Sequence, residues 1–523
     1  MFSRYRFQSI VRCFCLRMTS SRSSIAWDSF RPAINSPCSS LHSNISQESS
    51  ANKIVLFKQI LSQTKSINSL TKAEHVAQQL CHTQLTSQLD FMKQMHEDSS
   101  LPKRLLFEFF NVIRILLQND QLRSLAPNQT LQLLQLYCTL SQKMSNSSSL
   151  DKNDSRDLFH IKEHIQNIDF AQYSLDDLQQ LLHCCFRLKL SFDAIHLNNQ
   201  LSPFLQSNKN LSTELLFSMS KLCRLSDCNC PPLTTRLQEL VENSAHTMQF
   251  SRLAAFLGYF ANSALYFPKA FASAERCAHQ HLQQSLQIED MNQLRKHTRS
   301  KDIAKLLWSF AFVNHRLNDS YHFFQQVEFV MFKKLESDFL DYPHHLLDCI
   351  KSMILLGHLP LEIVSQAFLN AEFVHQLACS PRFKTRSDLY FILNSLQIEH
   401  SAQWFERFPL LAQLSKPLNQ RLSVELNKRP LYQKLKEYLI QKLNEDPQNL
   451  QYVYPLSHIN ISSLRIKSNN RTTFYELLDE SNCLHVPKAS RSNGLVTTKL
   501  RQMRKLGNQV VVIDSRSFFE SKH

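Results

Sequence analysis

The sequence predicts a mostly α-helical protein: an α-solenoid of degenerate helix-pair repeats followed by a small C-terminal α/β domain. Three observations predict it. The 523 residues include only 4 glycines, where average usage is roughly 7%. An apolar pattern recurs five times through the middle of the chain. The C-terminus holds a basic helical stretch, a glycine and the run QVVVI, the clearest β signal present.

A chain this long, with 43% hydrophobic residues, can bury a large core across several domain-sized units. Its shortage of glycine excludes phosphate-cradling loops and dinucleotide fingerprints, which need several glycines at fixed spacing. The glycine-rich kinase loop, the H-R-D loop and the D-F-G motif are all missing from the sequence. No cofactor is therefore expected. The net charge of +15 suits a polyanion partner, nucleic acid or anionic membrane, or simply residence in a basic compartment. Fourteen cysteines are scattered without a C-x-x-C pair, and Cys228 and Cys230 stand too close for half of a usual zinc site. They read as reduced, mostly buried thiols.

The first element is an address. Arg4, Arg6, Arg12, Arg17 and Arg22 precede the first acid, Asp28, while Phe7, Ile10, Val11, Phe14 and Met18 share one helical face. An Arg- and Ser-rich, acid-free amphipathic start is the transit-peptide pattern, which predicts import into the mitochondrial matrix; the competing reading is an exposed basic helix. Residues 1–30 are assigned to this presequence and 31–50 to a Ser-rich linker. No later stretch reaches the ~18 apolar residues of a membrane span. Polar breaks are expected at Ser141–Asp157 and Ile288–Asp302.

The repeat is read over 51–300, with helical segments continuing over 301–430. Five segments align without gaps, starting at Asp177, Glu214, Arg252, Asp302 and His345, which are 37, 38, 50 and 43 residues apart. Offset +1 holds Leu178, Leu215, Leu253, Ile303 and Leu346; offset +5 holds Leu182, Met219, Leu257, Leu307 and Ile350; offset +8 holds Cys185, Leu222, Phe260, Phe310 and Met353. Steps of four and three put these residues on one helical face. A second amphipathic helix follows in most units, such as YHFFQQVEFVMFKKL, and weaker copies extend upstream through LLFEFFNVIRILL and LQLLQLYCTL. Helix pairs at this period stack into solenoids; the alternative is one irregular helical domain. A solenoid can hold an extended ligand, a single-stranded nucleic acid or a peptide.

Residues 431–523 read as the α/β domain. LYQKLKEYLIQKL is a helix, with strands near Ile459–Ile466 and Phe474–Leu478 joined by KSNN. A second helix carries Val496, Leu500 and Met503 on its apolar face and Lys499, Arg501, Arg504 and Lys505 elsewhere. Gly507 sits where a left-handed residue ends a helix, and QVVVI predicts a strand covered on both faces. The cations Lys488, Arg491, Lys499, Arg501, Arg504, Lys505, Arg516 and Lys522 face only Asp514 and Glu520. They form either a solvated helix face or a phosphate-contacting patch.

The segment FYELLDESNCLHVPKASRSNGLVTTKLRQMRKLGNQVVVIDSRSFFE resembles a RAP domain, with Arg501, Leu506, Gly507, Val510, Val511 and Ile513 on its characteristic ending. Upstream, LLDCIKSMILLGHLPLEIV through LYFILNSLQIEHSAQWF resembles the helical FAST segments. Together with the presequence, these resemble the FAST kinase domain-containing proteins of mitochondria. That resemblance implies a matrix protein that binds mitochondrial RNA and affects transcript processing, stability or translation; the chain is expected to be non-catalytic and monomeric and its RNA single-stranded. Implied partners are other RNA-processing or ribosome-associated proteins. A RAP domain is also similar to restriction-endonuclease-like nucleases, which gather carboxylates around a divalent metal. Here Asp479 holds the acidic position, but Asn460 and Leu477 stand where aspartate and glutamate would be expected. Only Asp479 remains as a catalytic candidate, and no metal is expected. The usual proline and tryptophans after the last strand are replaced by DSRSFF, in which Phe518 can stack a base or pack inward.

Overall fold

The computed structural model describes residues 126–144, 154–166, 168–208, 210–400, 430–443, 446–468, 471–479, 482–486, 489–515 and 518. The presequence, the Ser-rich linker, the LLFEFFNVIRILL segment, Lys488 and Arg516 lie outside these residues.

The middle of the chain is a two-row helical array. The first row is α3 (Leu175–Arg187), α5 (Thr213–Leu225), α7 (Phe250–Asn262), α10 (Ser300–Phe312), α13 (Pro343–Leu355) and α16 (Phe383–Glu399), each packed on the next. The second row is α4 (Ala194–Ser207), α6 (Pro231–Ser244), α8 (Pro268–Gln287), α11 (Ser320–Leu335) and α14 (Leu361–Leu369), stacked likewise. Helices α1 (Pro127–Met144) and α2 (Asp154–Gln166) precede them, and α1 packs on α3. The short helices α9 (Met291–His297), α12 (Asp338–Asp341) and α15 (Ala371–Ala378) fill connections. The break expected at 288–302 thus contains a helix and the start of α10, and the stack runs through it without interruption.

All fifteen residues of the three apolar columns are 1% exposed or less. They form the seam between successive first-row helices and their partners, where burying each large side chain contributes about 1.5–3 kcal/mol. Starts are fixed locally: Ser174 and Ser212 accept the N–H of Asp177 and Leu215, and Pro231, Pro268 and Pro343 stand at the first turns of α6, α8 and α13.

The ends repeat too. Two residues past α3, α5, α7, α10 and α13, the chain turns through left-handed Lys189, Asp227, Ala264, Asn314 and Gly357. In each turn the next amide returns to the last helical turn: Leu190 to Cys185, Cys228 to Cys223, Leu265 to Phe260, His315 to Phe310 and His358 to Met353. This hydrogen-bonded stop occurs once per unit. Only one of the five left-handed residues is glycine.

The C-terminal unit starts with α17 (Leu431–Leu443), followed by β1 (Leu450–Val453), β2 (Ser463–Ser468) and β3 (Arg471–Leu478), an antiparallel meander. A hairpin, β4 (Cys483–Val486) with β5 (Ala489–Ser492), leads into α18 (Gly494–Lys505). Strand β6 (Gln509–Asp514) then returns parallel to β3, giving the order β1-β2-β3-β6. Tyr432, Leu435 and Leu439 of α17 cover one sheet face, with Leu464, Ile466 and Leu477. Val496, Leu500 and Met503 of α18 join Phe474 in the core shared with the array. Strand β6 differs from expectation: it is an edge strand with Val512 37% exposed, not a strand covered on both faces. Gly507 takes φ +80° past α18, as the sequence predicts.

The left-handed stops give a mirrored test. Replacing Lys189 by Gly should raise stability by up to about 1 kcal/mol, and Gly357→Ala should lower it by a similar amount, read from urea midpoints at unchanged slope.

Candidate nucleic-acid interface

The basic helix α18 lies against the array along the carbonyl ends of first-row helices. Gly494 touches the end of α10 so closely that an added Cβ would collide with the Ala311 carbonyl oxygen. Asn314 donates to Thr497 Oγ1 at 3.0 Å, and Thr498 donates to the Leu355 carbonyl at 3.3 Å.

The cations chosen from sequence meet different fates. Lys499 and Glu476 are both 0% exposed, Nζ to Oε2 2.5 Å apart; Lys499 also donates to Ser462 O at 3.1 Å, and Ser463 donates to Glu476 at 2.8 Å. Lys499 therefore presents no charge to solvent. Arg501 grips Glu399 through Nε at 3.0 Å and Nη2 at 2.8 Å, and donates to Ile354 O at 2.7 Å. Lys505 donates to Glu399 O. Arg491 donates to Asn314 O, stacks 4.3 Å over Tyr266, and borders a polar cavity of about 640 Å³ with Arg316 and Asn318. Arg504 is exposed. Phe518 packs edge-to-face on Tyr438 at 4.5 Å, the inward alternative to base stacking.

The nuclease-related positions do not converge on a metal. Leu477 is fully buried in the α17 core. Asp479 is buried; its backbone N–H donates to Asn482 Oδ1 at 2.9 Å and its carbonyl accepts from Cys483 N at 2.9 Å. Among the described residues no three His, Cys, Asp or Glu side chains gather as a metal site.

A second cationic system, missed by the sequence reading, runs across the first row on the face opposite the apolar columns. Arg224 of α5 and Lys305 of α10 reach toward each other over Gly258 of α7; a Cβ there would meet Lys305 Cδ at 3.1 Å and Arg224 Nη1 at 3.2 Å. Around this crossing lie Lys221, Arg299 and Lys301. Burial, then repulsion from Arg299, Arg224 and Lys301, lowers Lys221 to about 8 against the pull of Asp302. Burial, then Arg224, lowers Lys305 to about 7, with Lys301 and Lys221 adding to it and Asp302 opposing. Asp302 is itself paired with Arg299 at 2.5 Å.

The stripe continues along α13 and α16. His345 is lowered to about 4 by burial, His344, Lys301, Lys384 and Lys305. Lys351 and Lys384 each lie 2.6 Å from Asp388. Aromatic faces interleave: Lys221 sits 3.6 Å over Phe217, Trp308 packs on Phe312, and Tyr342 is exposed beside His344 and His345. Arg187 and His183 extend the stripe onto α3. Six helices at 8–10 Å spacing make a track of roughly 40–50 Å.

A sequence signal existed. Offsets +3, +6 and +10 hold Gln180, His183 and Arg187, then Phe217, Ser220 and Arg224, then Ala255, Gly258 and Asn262, then Lys305, Trp308 and Phe312, then Asp348, Lys351 and Leu355. At 100° per residue these columns oppose +1, +5 and +8.

The fold and site define a class: a helical-repeat protein with a cationic, aromatic-bordered track and an α/β unit closing one edge. Residues 303–378, from α10 through α15, match the FAST kinase-like protein, subdomain 1. The chain is 31% identical over 103 residues to "FAST kinase domain-containing protein 5, mitochondrial" of Homo sapiens, and 30% identical over the same length to that of Mus musculus. Each alignment covers 20% of this chain and 13% of the relative. Residues 303–378 are thus similar to the FAST kinase-like proteins, and the chain matches only a small part of the length of these relatives. No helix among the described residues is long and apolar enough to cross a membrane.

Lys499→Met would leave Glu476 buried and unpaired. It should destabilise the fold by about 3–5 kcal/mol in chemical denaturation, with no change in any salt-dependent RNA affinity.

Proposed function

We propose that this chain is a non-catalytic mitochondrial protein that binds single-stranded RNA along the first-row face and affects processing, stability or translation of mitochondrial transcripts. The crossing of Arg224 and Lys305 over Gly258 carries the reading. Cations are crowded and partly desolvated there, with Asp302 as the acid among them. A phosphate backbone supplies the missing negative charge, and half-buried rings beside it give bases a stacking surface. The mitochondrial setting is supported by the names of the relatives and by the Arg-rich start of the sequence. We read residues 431–523 as a RAP-like domain whose basic helix is used mainly in docking. Arg504 and Arg491 remain its candidates for contact with RNA, together with Lys488 and Arg516 outside the described residues. The chain acts as a monomer in the matrix, with other RNA-processing or ribosome-associated proteins as candidate partners.

The test is fluorescence anisotropy with single-stranded RNA over a range of salt. The triple variant Lys221→Gln, Arg224→Gln, Lys305→Gln should flatten the slope of log affinity against log salt by about 0.7 per lost phosphate contact. An unchanged slope removes this face from the interface.

Proton linkage gives an independent check. A bound phosphate favours protonated Lys305 and Lys221, so the complex holds more protons than the free chain once pH exceeds their free values of about 7 and about 8. Affinity should therefore fall as pH rises from 6.5 to 9 at fixed salt, and fall less in the double Gln variant of these lysines.

A further inference from the structure

Upstream of the cationic crossing, the character of the track changes. Between α1, α3 and α5 lies a groove of about 350 Å³ lined by Gln135, Thr139, Gln179, Gln180, His183 and Arg187, among others. Its volume is at the lower end of small-ligand pockets. Gln135 donates to Gln180, so one amide pair holds the groove's wall. Half-buried Gln179 has no side-chain hydrogen bond among the described residues, and neither has His183. Burial together with Arg187 and Lys221 lowers His183 below its usual value, so at neutral pH its ring is uncharged, offering one donor and one acceptor. Apart from Arg187 at the rim, these lining groups bring no charge. Such a surface is poorly suited to phosphate and well suited to the donor and acceptor edges of a base.

We infer that this groove receives an unstacked base of the bound strand and reads it through Gln179 and His183, with Gln135 and Gln180 as the fixed wall. This rests on the RNA-binding reading above and adds to it the source of sequence selectivity. Phosphate contacts hold a strand without regard to sequence, whereas an amide can satisfy two groups on a base edge at once. In single strands those edges are open to side chains. The division follows the array: the crowded lysines and the rings lie on α5 through α13, and the amides with His183 lie on α1 and α3, bordered by Arg187. A strand following the track past Lys221 meets the groove beside Arg187.

The experiment uses the full chain and a random-sequence single-stranded RNA pool, followed by affinities for an enriched oligonucleotide and its scrambled counterpart. Wild type should prefer the enriched sequence by about tenfold or more. The variant Gln179→Ala, His183→Ala should bring that ratio close to one while the salt slope keeps its wild-type value. Gln179→Glu, which turns a donor-acceptor into an acceptor only, should shift the preferred sequence. Circular dichroism checks that each variant is folded; both substituted positions are at least partly exposed. A ratio unchanged in both variants overturns the proposal. So does a wild type that binds every sequence alike with a normal salt slope, which leaves the RNA-binding reading standing. Absence of any salt-dependent binding by wild type removes both.

Discussion

The constraint on which the rest of the structure depends is the meeting of cationic side chains with helix carbonyl ends. A helix leaves its last four carbonyls without internal partners and concentrates partial negative charge there. In the first row, the left-handed turn satisfies some of these carbonyls. Others, on Ile354, Leu355 and Glu399, take donors from Arg501, Thr498 and Lys505 of the C-terminal unit, and Arg491 donates to the Asn314 carbonyl in the turn just past α10. The Glu399 carboxylate, at the last residue of α16, adds full charge for Arg501 and Gln502. The basicity of α18 therefore has a structural cause. It neutralises a row of helix ends and fixes the α/β unit along one edge of the array, with the Lys499–Glu476 pair tying α18 to the sheet.

On the first-row face, Lys351 and Lys384 are paired with Asp388, but the cations around the crossing over Gly258 have no such explanation. Paired charges in a fold lower each other's energy, but Lys221, Arg224, Lys301 and Lys305 mainly raise each other's, with Asp302 the principal opposing charge and already engaged by Arg299. Burial adds to the cost. A glycine at 258, in a chain with 4, opens the space in which two of these side chains cross. An arrangement only partly compensated within the chain, by Asp302 and the Phe217 ring, is intelligible if a polyanion supplies the rest on binding.

Periodicity made the fold legible, and long-range pairing made the site illegible. The fifteen apolar positions were readable because a helix repeats its faces through local geometry, and all are buried. The helix at 431–443 and the apolar face of α18 were readable for the same reason. The turns at Lys189 and Ala264 were hidden because neither residue type favours left-handed backbone, whereas Asp227 and Asn314 belong to the types that adopt it most readily after glycine. Lys499 and Arg501 were misread because their acids stand 23 and 102 residues away in sequence. No local pattern says that a basic helix face will be buried against a partner. The stripe carried a periodic signal, columns opposite the apolar ones, yet those columns mix cation, ring, amide, glycine, acid and small or apolar residues, so no single residue type marks it.

The segment matching FAST kinase-like subdomain 1, residues 303–378, is where the two cationic systems come closest. It contains Lys305, Trp308, His344, His345 and Lys351 on the stripe, and Ala311, Asn314, Ile354 and Leu355 at the docking edge. Helices α10 and α13 thus face opposite tasks at their two ends. The N-terminal end of α10 bears Lys301 and Lys305 where the helix dipole is already positive, offset by Asp302, while that of α13 bears the uncharged His344 and His345; neither Arg299 nor Tyr342 caps its helix with a side-chain hydrogen bond. Their C-terminal ends receive positive groups where the dipole is negative. The second contact is satisfied within the chain and holds the helices in place. At α10 the first is unfavourable until an anion arrives, when the ligand's charge, the lysines and the helix dipole act in the same direction; at α13 the helix dipole alone faces the ligand. One pair of helices, with its polarity fixed by chain direction, thereby separates the surface that builds the fold from the surface left to hold a ligand.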